Sequence, residues 1–411
     1  MVASPFPLRR LRCALLFLGL ALALAKLSAG DWPCWRGPSH TGISEEANWQ
    51  LKWPADGPRV AWKAKVGLGM SSFVVAGGRA YSLGHADGKD TLYCFEAATG
   101  RPVWKHSHTS ELGDKFFDGG TTGTPTYDSG QIFFLDRWGL AFCLNATNGT
   151  VIWERNVQED AGARIPDWGF GGSPLVLSNR VFLNVGEAGL ALNRATGDIV
   201  WKSGPKSAGY SSVLPLPGKA PVQGLVSSGS AYSAVNLLDG SVRWSIRWVT
   251  QYGVNAADPV VDGDRVFLST GYGKGGALYR MGGAEPELVW KGRTLRTQMN
   301  PAVLWRGHLY GVDGDTTEKA SLKCVEFETG TEKWAVPDFG NGGLVVAGGH
   351  LLALNGTGEL VVAPAEPSGF HPVSRAQVLG GKTWTAPVLS EGRIFCRNTL
   401  GFVVCLDVSK P

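Results

Sequence analysis

Residues able to do chemistry gather at one recurrent place in this chain, the loops just before its Pro-Val-type strands. Asp118, Trp168, Tyr210, Tyr252, Asn255, Asp258, Gln298, Asn300, Asn341 and Trp384 all fall there. Aromatic rings among amides and a few carboxylates suit the binding of a peptide, a glycan or a small molecule. The same groups suit bonds to backbone and trapped water. Asp258 and Asn300 stand where other copies of the loop carry Ser or Thr, as at Thr124, Ser173 and Ser212. Carboxylate and amide oxygens are hard donors, so these two lead the candidates for a ligand or cation contact. No catalytic residue and no metal site is assigned.

Other arrangements carry less. Asp87-Gly88-Lys89-Asp90 and Asp313-Gly314-Asp315-Thr316 look like fragments of calcium loops. They lack the spacing and terminal Glu of an EF-hand, and turn chemistry explains them. His106 and His108 lie two apart, with no carboxylate or third His placed with them in sequence. There is no Gly-x-Ser-x-Gly, no P-loop, no His-Glu-x-x-His and no Cys-x-x-Cys.

The elements that hold the loops are repeats. Cys94-Phe95-Glu96-Ala97-Ala98-Thr99-Gly100-Arg101-Pro102-Val103-Trp104 reads as a strand end, a tight turn and a second strand. Similar stretches end at Trp153, Trp201, Trp244 and Trp334. A period of about 40–50 residues means a propeller or a solenoid. The other half of each unit is a hairpin whose first strand begins near Ser72, Thr124, Ser173, Ser212, Asp258, Asn300, Gly343 and Ala386. Gly-Gly, Ser-Gly, Ser-Asn and Asp-Gly-Asp between the strands are hairpin turn residues. Eight units of four strands make propeller blades. The eighth stops at Asp407 without its fourth strand, and the orphan strand Val60-Ala61-Trp62-Lys63 supplies it. The expected fold is all-β: an eight-bladed β-propeller of four-stranded antiparallel blades. Strands from both termini close the ring and remove an exposed edge. Unit five loses its Thr-Gly turn to Gly282-Gly283-Ala284-Glu285-Pro286, and unit seven to Ala363-Pro364-Ala365-Glu366-Pro367. These are drift or places where the ring meets a partner.

Charge and cysteines narrow the function. The net charge is +4. Arg9, Arg10, Arg12 and Lys26 lie in the first 30 residues, which contain no acid, so 39 − 4 = 35 basic residues remain against 35 acidic. With no basic stripe, nucleic acid is not an expected partner. The charged start, the apolar run Cys13 to Ala25 and Ser28-Ala29-Gly30 read as a secretory signal over residues 1–30. Residues 31–59 form an arm expected to pack on the propeller, which spans 60–411. No later segment is apolar enough to span a membrane. Cys94, Cys143, Cys324 and Cys405 share one repeat position with Ala191 and Ala234, which marks a small buried residue. Cys396 stands where Leu183 and Leu268 do, and Cys34 is left over.

The stretch Ala191-Leu192-Asn193-Arg194-Ala195-Thr196-Gly197-Asp198-Ile199-Val200-Trp201 resembles the tryptophan-docking repeat of the pyrroloquinoline quinone (PQQ) quinoprotein propellers. The resemblance runs from about residue 60 to 408. It implies that Trp62, Trp104, Trp153, Trp201, Trp244, Trp290 and Trp334 wedge between neighbouring blades. One branch of the family, the dehydrogenases, holds PQQ and Ca²⁺ on the axis. The BamB-type branch binds no cofactor and serves as a scaffold. Asp31-Trp32-Pro33 with Trp35-Arg36-Gly37-Pro38, and Gly380 to Pro387, look like exported PQQ-like propeller proteins. The chain has no adjacent Cys pair and no long insertions to roof a cofactor. The expectation is therefore an exported, periplasmic or extracellular, monomeric and non-enzymatic binding or scaffold module without cofactor. Its partner is an envelope protein or a small ligand at the axial mouth, contacted by Trp168, Tyr210, Tyr252, Asn255, Asp258, Asn300 and Trp384. The alternative is a PQQ- and Ca-dependent dehydrogenase acting on an alcohol or sugar.

Overall fold

The computed structural model describes residue 1 and residues 30–410, apart from 116, 219–221, 284 and 317–318. The expected signal falls on residues 2–29, which lie outside the described ones. Among the described residues, no helix is long and apolar enough to cross a membrane.

Eight sheets, each of four antiparallel strands, follow one another along the chain. Blade one comprises Val74–Ala76, Arg79–Ala86, Lys89–Glu96 and Pro102–Thr109. Blades two to six keep that order, innermost strand first. The innermost strand of blade seven, Gly343–Ala347, also pairs in parallel with Ile43–Ser44. Blade eight takes Val388–Ser390, Arg393–Arg397 and Phe402–Asp407 from the C-terminus and Arg59–Lys65 from the N-terminus. That last pairing is antiparallel, Trp62 opposite Cys405. The structure is thus the eight-bladed propeller read from the repeats, closed by strands from both ends.

The repeat residues explain the packing between blades. Trp62, Trp104, Trp153, Trp201 and Trp290 each donate the indole N–H to a carbonyl of the next blade, Ala97, Ala146, Arg194, Leu237 and Phe327 in turn, at 2.8–3.1 Å. Their rings lie on the turn glycines Gly100, Gly149, Gly197, Gly240 and Gly330, where an added Cβ would come within 2.5–2.8 Å of the indole. Trp334 bonds the Glu366 carbonyl at 2.8 Å and packs on Phe370 where blade seven lacks the turn. Trp244 faces blade five, whose turn is also lost, and makes no such indole bond among the described residues. A small residue sits opposite most of these rings: Cys94 faces Trp104, Cys143 Trp153, Ala191 Trp201, Ala234 Trp244 and Cys324 Trp334. The six described cysteines are free and buried, and burial pushes the Cys94, Cys143 and Cys405 thiols up to about 12. They act as small apolar groups rather than nucleophiles.

Residues 30–50 take a course that no repeat foretells. The Trp32 backbone pairs with Val75 of blade one, and the Pro33 carbonyl accepts from Tyr127 N of blade two at 2.7 Å. Arg36 Nη2 donates to the Ala302 carbonyl of blade six at 2.8 Å. Gly42 O accepts from Val346 N of blade seven at 3.0 Å, and Glu46 accepts from the backbone of Glu391 and Gly392 in blade eight. These contacts fall on innermost strands on opposite sides of the ring. The segment therefore crosses the axis and stoppers one end of the channel. Arg36 and Gly37 both hold positive φ, 65° and 78°, a conformation that costs a non-glycine residue about 1 kcal/mol and turns the chain across the axis.

Candidate functional site

Above this stopper lies an axial cavity of about 510 Å³. Its wall is built by the residue that precedes each innermost strand. Ser72 N donates to Thr124 Oγ1, Thr124 N to Ser173 Oγ, Ser173 N to Ser212 Oγ and Ser212 N to Asp258 Oδ1, at 2.7–3.1 Å. A side-chain oxygen thus links each of blades one to four to the next. Proline follows at Pro125, Pro174, Pro259 and Pro301; it lacks an N–H and needs no partner there. Asn300 continues the ring differently, donating Nδ2 to the Gly342 and Trp384 carbonyls at 3.1 and 2.7 Å. Gly343 supplies no side chain, and the longer amide bridges past it.

This arrangement explains Asp258 and Asn300 in physical terms. Both occupy the Ser/Thr place, and both do the inter-blade bonding of that place. Asp258 is 5% exposed. Burial raises its carboxyl above the ordinary range, while Arg36 and contacts with Ser212 and Trp35 pull it back. Its Oδ2 makes no hydrogen bond of ordinary geometry, although the Trp35 and Ser212 side chains lie against the carboxylate. Arg36 is buried beside it, and burial lowers its guanidinium to about 10. The guanidinium is tied to the ring through the Ala302 carbonyl and acts on Asp258 through its field, without an ion pair.

Trp168, Tyr210, Asp258, Asn300 and Trp384 all line the cavity. Trp168 meets Tyr210 edge-on at 6.0 Å and Tyr252 at 6.2 Å, and Tyr252 meets Tyr272 at 5.6 Å. Tyr252 is 60% exposed and joins this aromatic arc at the rim rather than in the wall. Asn255 is elsewhere. It is fully buried, and its amide donates to the Ser228 and Trp248 carbonyls at 2.8 and 3.0 Å. Across the mouth, Lys382 bonds Asp118 at 2.7 Å and lies 4.6 Å from the centre of the Trp384 ring. Gln298 also lines the wall, and Asn341 donates to the Asp315 carbonyl at 3.0 Å.

The structure adds residues that the sequence did not single out. Trp35 of the arm floors the cavity. Arg137 is 2% exposed and donates to the carbonyls of Leu112, Gly113 and Trp168, at 2.7–2.9 Å. It clamps two mouth loops together. The neighbouring Asp136-Arg137-Trp138 turn was no motif in the sequence, and a buried Arg leaves no periodic signal.

His108 meets carboxylates that sequence distance concealed. Asp90, His108 and Asp136 place one ligand atom each within 4.8 Å of the others. The oxygens are already occupied. Asp90 accepts from Ser110 and pairs with His85 at 2.7 Å. Asp136 caps three backbone N–H groups at 2.7–2.8 Å with Oδ1 and holds His108 Nε2 at 3.1 Å with Oδ2. The trio ties blade one to blade two. His106 lies outside it. The Asp87-Gly88 pair is a two-residue hairpin turn with positive φ at both positions.

Comparison with known proteins agrees with this architecture. No curated protein matches the chain in sequence. Among solved structures, a europium-containing methanol dehydrogenase aligns with a TM-score of 0.68 at 13% identity, over 91% of this chain and 90% of that one. BamB from Moraxella catarrhalis aligns at 0.60 and 14%, over 84% and 98%. The quinohemoprotein alcohol dehydrogenase ADHIIG from Pseudomonas putida HK5 aligns at 0.64 and 14%, over 93% and 81%. At such identities the likeness is one of fold. The family model described as outer membrane protein assembly factor BamB matches residues 46–122 and 113–336, which is most of the ring, and the chain belongs to that family of PQQ-like propellers.

Proposed function

We propose that the chain is a non-enzymatic binding propeller of the cell envelope, exported and acting as a scaffold or ligand carrier through its axial mouth. The observation that carries this reading is the cavity itself, blind at the arm end and open at the mouth. PQQ with a cation suits it poorly. PQQ is an anionic tricarboxylate, and among the described residues the lining offers it one ammonium, Lys382, already paired with Asp118. A Ca²⁺ ion seeks several hard oxygens. Among the described residues the lining offers one carboxylate, Asp258, which burial drives toward its protonated form and which lies in the field of Arg36. No two cysteines are adjacent in sequence. The family's BamB description supports a protein partner.

The test is direct. The purified chain is titrated with PQQ and Ca²⁺, following absorbance and dye reduction with a panel of alcohols and sugars. No stoichiometric binding and no turnover are expected. Tight binding with turnover would sink the scaffold reading and establish the dehydrogenase in its place.

A further inference from the structure

We infer that the axial cavity takes a neutral, polyhydroxylated ring compound, that is, a saccharide, bound and not transformed. This rests on the reading of the mouth as the binding site and names the class of ligand it selects.

Charge decides first. Among the described residues, the charged side chains of the lining are Asp258 and Lys382. Lys382 is answered by Asp118 and by the Trp384 ring. Asp258 accepts from Ser212 and sits in the field of Arg36. An anion or a cation entering here would lose its water with no opposite charge to replace it. A neutral ligand avoids that cost.

The hydroxyls decide next. Thr124, Ser173 and Ser212 line the wall from three successive blades. Each oxygen already accepts a backbone N–H; Thr124 and Ser173 keep their own proton to donate, while the Ser212 hydroxyl also faces the Asp258 carboxylate. The Asn300 nitrogen is taken by two carbonyls, so its oxygen remains as an acceptor. Donors in a row, one per blade, with an acceptor across from them, match a molecule bearing several hydroxyl and ring oxygens. The aromatic walls complete the match. Trp35 at the floor, with Trp168 and Tyr210 at the sides, offer negative ring faces to the weakly positive C–H faces of a sugar ring. The stopper excludes a threading chain, so an extended peptide would enter only by its end. The volume of about 510 Å³ lies within the range of about 300–1,000 Å³ usual for small-ligand sites.

The test titrates the full chain with neutral mono- and disaccharides, and in parallel with PQQ and citrate as anionic probes. Calorimetry and tryptophan fluorescence are the readouts. A neutral saccharide is expected to saturate one site. Its affinity should change less than about twofold between low and high salt, since no ion pair is made. It should fall about tenfold or more in Trp168→Ala. Ser173→Ala, which removes one donor and little volume, should weaken it about fivefold; it also strips Thr124 N of its acceptor, so a modest fall in melting point with the native circular dichroism retained is expected beside it. Binding of the anions alone would overturn the neutral class. If no saccharide binds but a purified envelope protein binds and loses affinity in Trp168→Ala, the saccharide inference fails while the mouth remains the site. If saccharide binds undiminished in both variants, the mouth reading fails with it.

Discussion

The outer girdle of the ring and its inner wall solve the same problem by opposite means. Outside, one residue type repeats: a Trp from one blade bonds a carbonyl and covers a glycine turn on the next. Inside, the joining residue changes from Thr to Ser to Asp to Asn while its bonding task persists. The girdle uses the same bulky wedge on seven of its eight blades, because ring closure by eight blades demands nearly equal angles; the outer strand Ser374–Gln377 of blade seven carries none. The inner wall needs only an oxygen or an amide of the right reach. It is therefore free to vary, and its variation is what makes the cavity different on each side.

The sharpest break of the girdle is the closing blade. Removing Arg59–Lys65 leaves Phe402–Asp407 an unpaired edge and takes Trp62 from its seat on Gly100. Loss of the folded monomer is expected, with aggregation seen by size-exclusion chromatography. A milder break compares two wedges. Trp153→Ala empties a buried, bonded site and is expected to lower stability by about 3–5 kcal/mol. Trp244→Ala removes a ring that lacks the indole bond, and about half that loss or less is expected. Urea denaturation of the pair measures the worth of docking. Equal losses would mean that packing alone carries the girdle.

How much was legible in the sequence follows the same division. The girdle was legible because Cys/Ala, Thr-Gly and Trp recur at fixed spacing, and the closing strand Val60 to Lys63 was found as the piece missing from the last copy. The inner wall was half legible. Counting copies located Asp258 and Asn300 at the Ser/Thr place, but a position does not show which way its bonds run. Asn255 and Trp384 lie in equally suggestive loops, yet one amide is folded into a turn and the other ring lines the cavity. The crossing of the axis by Trp32 to Ser44 was not legible, since that stretch occurs once and has no copy to align with. Nor was the meeting of His108 with Asp90 and Asp136, since it depends on the register of two strands in blade one and on the packing of blade two against them.

The inner wall is probed by pH at Asp258. Its carboxyl is raised in the folded state, so between its ordinary and its raised value the native protein holds a proton that the unfolded chain has released. Stability from this group then falls as pH rises through that window. Asp258→Asn keeps an acceptor for Ser212 N and removes the titration. It is expected to gain stability at neutral pH and to flatten that slope, read from urea midpoints across the pH series. A steeper slope in the variant would show that Arg36 outweighs burial. The matching change on the arm, Arg36→Met, should leave Asp258 without its neighbouring charge and steepen the same slope.

The smallest effect belongs to the mouth. Lys382 and Asp118 are each about two-fifths exposed, with side-chain accessibilities of 42% and 41%. Exposed pairs contribute about 0–1 kcal/mol and less in salt. Lys382→Ala should therefore leave the melting point nearly unchanged. It should still matter to binding, because the ammonium is fixed over Trp384 and bridges two loops from opposite sides of blade one. Removing it frees the Trp384 face and loosens the rim. A neutral ligand stacked on that face should bind faster, with the gain in association rate lost in Trp384→Ala. A large drop in stability on Lys382→Ala would instead place the mouth among the elements that hold the ring together, and the contrast between a rigid girdle and a variable interior would have to be drawn further inward.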